Sequence, residues 1–185
     1  MKHPLIFIVL IFFFHATSFC QVQGYNEDTS ILTFDINNLI IKSSDSVHKE
    51  FSVLKTTLSA FLEEFPSPDK NEDYYYEIDE KMARLITYTN NEFYFLDAQL
   101  DAFHLKDSRF SIGNGKYFIK LGDHHTAVSK LFPPYELKIE IDYGTKEEYG
   151  VIRITTSEEG SVYEDEDSII ILVEVKSGII TEIYK

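Results

Sequence analysis

Cysteine is almost missing from this chain. Cys20 is the single one among 185 residues, so no disulfide can close within it. Basic residues are also scarce, 17 Lys and Arg against 31 Asp and Glu, for a formal net charge of −14. That balance argues against nucleic acid and anionic lipid headgroups as partners, because both need basic patches. It suits solubility, cations, or a protein partner with a basic surface. The longest apolar run, Leu5 to Phe14, has ten residues, and a membrane-spanning helix needs about 20. No Gly-x-Ser-x-Gly elbow is present. The one clustered pair of glycines, Gly113-Asn114-Gly115, reads as a turn and not as a phosphate loop.

What is there begins with a leader. A short basic head, Met1 to Pro4, precedes the apolar run, and the polar stretch His15 to Ser18 follows it. This is the layout of a secretory signal peptide over residues 1–20. Cleavage after Cys20 or after Ser18 both fit. Lipid attachment at Cys20 fits less well, because Phe19 stands where a small residue is wanted. Cleavage after Cys20 leaves no cysteine for a disulfide or a nucleophile, and a net charge of −15, since Lys2 leaves with the signal. The destination is then secreted or periplasmic. Residues 21–30 read as a flexible leader.

From residue 31 onward two kinds of periodicity alternate. "ILTFDINNLIIKSS", residues 31–44, reads as two short strands about Asn37-Asn38. Ser44 or Asp45 is placed to cap a helix. The stripe Val47, Phe51, Leu54, Leu58, Phe61, Leu62 and Phe65 steps by three and four up to Pro66 and predicts a long helix. Period two then takes over, with strands expected at 74–78, 82–87, 92–96 and 100–105 and a turn at Asn90-Asn91. A second round follows. "YFIKLGD", residues 117–123, is a strand leading through Gly122 into a short helix capped by Asp123 and stopped at Pro133. Strands are then expected at 136–142, 149–156, 168–175 and 179–184.

The order strand, helix and meander thus occurs twice. Ile-Lys falls at 41–42 and at 119–120, and each half closes on an apolar strand, "LDAFHL" and "IITEIY". The expected fold class is α+β: two tandem units, 31–108 and 109–185, each a helix packed on a four-stranded antiparallel meander sheet. A helix laid twice in tandem over such meanders resembles the β-lactamase-inhibitor-protein-like fold. The turn "IKLGDHHTAVSKLFP" is similar to the Gly-capped short helix of small outer-membrane assembly lipoproteins of related architecture. The resemblance implies a protein that binds proteins through sheet surface and loops.

Candidate chemistry is thin. His124 and His125 are neighbours, about 100° apart on a helix, and do not close on one metal as an i, i+4 pair does. A scaffold role follows. Glu164, Asp165, Glu166 and Asp167 are weak metal candidates, since their spacing lacks the register of a calcium loop and fits a charged hairpin tip. No cofactor is implied. Tyrosine is abundant, and alternation puts Tyr74 and Tyr76 on one strand face, with Tyr94 near them. Such residues supply large contact area at low entropic cost, so Tyr74, Tyr76 and Tyr94 form the candidate interface. Three functions remain: a secreted non-enzymatic binding or scaffold protein, a hydrolase with Asp or Glu catalysts in a cleft between the units, and a calcium-dependent surface protein.

Overall fold

Alternation does become strands. The structure is a computed structural model that describes residues 34–44, 49–53, 55–76, 80–132, 134–157 and 168–185. The signal-like segment 1–20, the leader 21–30 and Asp45 lie outside the described residues. Residues 31–185 form one compact unit. In chain order the strands are β1 Phe34–Asp35, β2 Ile40–Ser43, β3 Glu50–Ser52, β4 Lys70–Tyr76, β5 Lys81–Tyr88, β6 Asn91–Leu96, β7 Gln99–Leu105, β8 Phe110–Gly113, β9 Phe118–Lys120, β10 Leu137–Ile141, β11 Glu148–Ser157, β12 Ser168–Glu174 and β13 Ile180–Tyr184. Helix α1 spans Leu58–Glu64, and 3-10 turns occupy Ile36–Asn38 and His125–Lys130.

These strands do not form two tandem helix-on-sheet units, and the fold is mostly β. The meander β4 to β7 and the meander β10 to β13 join edge to edge. Leu105 stands opposite Ile183, and His104 opposite Tyr184, in antiparallel register. The result is a nine-stranded sheet in which, among the described residues, the only parallel pair is β1 with the end of β11. A second sheet, in the order β3-β2-β8-β9, ties the start of the chain to its middle through the pair Ile41 and Ile112. Both sheets therefore cross the expected boundary at 108/109. The physical reason is burial. Each meander has one apolar face, and short helical segments are too small to cover it, so a second sheet does most of that work.

The long helix expected over residues 47–65 is the main misreading. Phe51 and Val53 also alternate by two, and that local pattern prevails: Phe51 lies in β3 opposite Ile41, and both are buried. Thr56 and Thr57 then interrupt any helix, because short hydroxyl side chains compete for backbone groups. Thr56 Oγ1 donates to the Ser52 carbonyl at 2.6 Å. Thr57 becomes the N-cap of α1, accepting from the Ala60 N–H at 3.2 Å. The Ser44 hydroxyl instead donates to the Ser108 carbonyl at 2.6 Å. The second expected helix is a 3-10 turn. Gly122 turns the chain with φ +92°, and Asp123 accepts from the Lys120 N–H at 3.0 Å instead of capping. His124 is the cap.

The core lies between the two sheets. Phe61 of α1 reaches into it, with ring centroids 4.9 Å from both Phe51 and Phe93 and 5.2 Å from Phe95. Phe110 of β8 meets Phe93 at 5.0 Å. The edge-to-face pairs among these, Phe51 with Phe61 and Phe93 with Phe110, add about 0.5–1.5 kcal/mol each beyond area burial. Asn91 is fully buried at the head of β6. Its amide donates to Asp107 at 2.6 Å, and its oxygen accepts from the Lys106 and Asp107 N–H groups at 3.0 and 3.3 Å. One satisfied polar side chain thus fixes the β5–β6 turn to the link between β7 and β8.

Candidate interaction face

The register assigns each side of the large sheet. Ile86 stands opposite Phe93 and Phe93 opposite Phe103, all facing the core. Leu85, Tyr94 and Ala102 form the matching row on the other side. Ala83, Leu85, Val151 and Ile170 are buried yet stand outside the core cluster, on this second side. It carries the sequence-predicted tyrosines and brings all three together.

Tyr74 and Tyr76 come from β4, and Tyr94 from β6, with β5 between them. Tyr74 stands opposite Ala83, and Leu85 opposite Tyr94. Because Ala83 has no bulk, the rings on either side close over β5. Tyr74 and Tyr94 centroids are 5.1 Å apart, Tyr74 and Tyr76 5.4 Å, and Tyr76 and Tyr94 6.1 Å. Tyr74 remains 40% exposed. The Tyr94 hydroxyl donates to Glu92 at 3.0 Å. Burial, and then that carboxylate, push the Tyr94 phenol far above its ordinary range.

From Glu92 a polar network crosses the junction between the two meanders. Glu92 accepts from Lys106 Nζ at 3.0 Å. Burial alone would raise its carboxyl, but the bonds from Lys106 and Tyr94 outweigh it and hold the group below the ordinary carboxylate value. His104 stands between two acids, with Nδ1 3.9 Å from Glu92 and Nε2 2.5 Å from Glu182. Its ring lies 5.1 Å from that of Tyr184. Burial pushes the Tyr184 phenol upward, with Arg153 opposing. Further along, Arg153 lies 3.6 Å from Glu140. Glu92, His104, Lys106, Glu182 and Tyr184 were not legible as a group. Their meeting depends on the β7–β13 pairing, which joins residues nearly 80 positions apart.

The remaining candidates do not make a site. The His124 and His125 rings stack at 4.5 Å. His125 Nδ1 lies 3.2 Å from the Tyr135 hydroxyl, and its backbone N–H donates to the Gly178 carbonyl at 2.8 Å. Burial, then the neighbouring His124, lower the His125 pKa. Gly178 has φ +71°, and a Cβ there would lie 2.5 Å from His124 Nε2. The pair therefore seats the β12–β13 turn. Glu164, Asp165, Glu166 and Asp167 lie outside the described residues. Among the described residues, no group of three or more His, Asp or Glu is placed to hold a metal, and no helix is long and apolar enough to cross a membrane. Comparison with protein families, with curated proteins and with solved structures found no match.

Proposed function

We propose that this is a secreted, non-enzymatic binding or scaffold protein that holds a protein partner on the tyrosine-bearing side of its large sheet. One observation carries the proposal: Tyr74, Tyr76 and Tyr94 cluster on that side, with centroids 5.1–6.1 Å apart. Packed tyrosines are already ordered, so a partner meets broad contact area without an entropic cost for fixing it. The partner is a protein with a basic surface, which the net charge of −14 favours. At the meander junction Leu105 and Ile183 are buried opposite each other, and both His104 nitrogens face carboxylates across the strands.

The test is retention on immobilised protein from native culture fluid, compared with a Tyr74→Ala/Tyr76→Ala double variant. The expected result is a protein held by the wild type, released by salt, and bound at least tenfold more weakly by the variant. Equal retention of the same proteins by both would overturn the assignment.

A further inference from the structure

The edge of the large sheet at β10 carries a different and independent feature. β10 pairs with β11 on one side. Among the described residues its other edge has no strand beside it. Its alternating side chains are Leu137, Ile139 and Ile141 on the core side of the sheet, and Lys138 and Glu140 on the tyrosine side. Leu137 packs against the core, but the core does not reach the other two. Ile139 is 52% and Ile141 51% exposed, and Tyr143 just beyond is 88% exposed. A free strand edge with exposed isoleucines invites strand addition.

We infer that the occupant is a second copy of this chain, joined β10 to β10 in antiparallel register about Ile139. The sequence is self-complementary in that register. Ile139 meets its own counterpart, and Leu137 meets Ile141. Lys138 meets Glu140 twice, once on each side of the two-fold axis. All the apolar side chains then fall on one face and both ion pairs on the other. A slip by one residue would put isoleucine opposite charge and break every pair. Glu136 and Asp142 fall opposite each other at the ends, and their repulsion limits the pairing to the five residues of each strand. The two large sheets become one sheet with both tyrosine patches on the same side. A contact this short buries less than the roughly 1,600 Å² of a standard interface. The dimer is therefore weak and depends on concentration.

Charge reversal gives a direct test by sedimentation equilibrium of the purified protein. Wild type is expected to shift from monomer to dimer between about 10 and 500 µM, the range suited to a small interface. Lys138→Glu places glutamate against Glu140, and Glu140→Lys places lysine against Lys138. Each variant alone should associate at least about tenfold more weakly. Mixed together, the two variants complement each other and should form a heterodimer with near wild-type affinity. Circular dichroism of each variant confirms that it is folded before mixing. Wild type that stays monomeric to about 500 µM, single variants that dimerise as wild type does, or a mixture that remains monomeric would each overturn the inference.

Discussion

Tyr74 and Tyr94 stand on strands that are not neighbours, yet their ring centroids lie 5.1 Å apart across β5. The contact depends on Ala83, which stands opposite Tyr74 and leaves the space that a larger side chain would fill. Ala83→Leu should therefore separate the rings while leaving the sheet in place. The expected cost in stability is about 1–3 kcal/mol, with a near-ultraviolet circular dichroism signal that changes and partner binding that falls. Binding unchanged by a variant whose tyrosine signal has clearly moved would count against a role for the cluster.

Phe61 joins the short helix to both sheets. It touches Phe51 of the small sheet and Phe93 and Phe95 of the large one. Phe61→Ala should cost about 3–5 kcal/mol in urea unfolding, because the cavity lies among rings that cannot collapse into it. A loss under about 1 kcal/mol would mean that α1 is peripheral.

How much of this was legible in the sequence divides along a physical line. Alternation is local, so the strands carrying Leu85, Phe93 and Phe103 fall close to where period two places them. That Tyr74 and Tyr76 share a face follows from the same rule. Pairing is not local. Ile41 with Ile112 and Leu105 with Ile183 bring together residues about 70 to 80 positions apart, and no short window reports that. Hence one joined sheet replaces two units, and the Glu92–His104–Glu182 network was invisible. The long helix failed for another reason. Phe51 satisfies a helical stripe and a strand alternation equally, and Thr56-Thr57 decides between them by capping.

Asn91 shows what a buried amide contributes. It binds Asp107 and the backbone of residues 106 and 107. Asn91→Ala leaves those groups without their partner in a buried place and should cost about 2–3 kcal/mol. Urea midpoints at pH 7 measure it. Asn91→Asp should also destabilise, since it sets a second carboxylate 2.6 Å from Asp107.

Stability should depend on pH on both sides. The folded protein holds Glu92 below its ordinary value of 4.5. Its contribution is therefore full above about pH 4.5 and is lost as the pH falls through the lower folded value. Lys106→Met should flatten that acid limb. Burial, only partly opposed by Arg109, pushes the Tyr88 phenol from 10 up to about 12. Its contribution is full below pH 10 and disappears as the pH rises through 12. Phenolate absorbance from Tyr88, read as the difference from Tyr88→Phe, should emerge near pH 12 or with unfolding. Ionisation near pH 10 in the folded state would contradict the burial.

The most direct test of the tyrosine face is site-specific photocrosslinking in native culture fluid. A photoreactive residue replacing Tyr74 on the tyrosine-bearing side is compared with one replacing Tyr117, which is equally exposed at 40% but lies outside the large sheet, just before β9. The account predicts a discrete protein adduct from position 74 that salt suppresses, and none of that mass from position 117. The same adduct from both positions, or none from position 74, would contradict it.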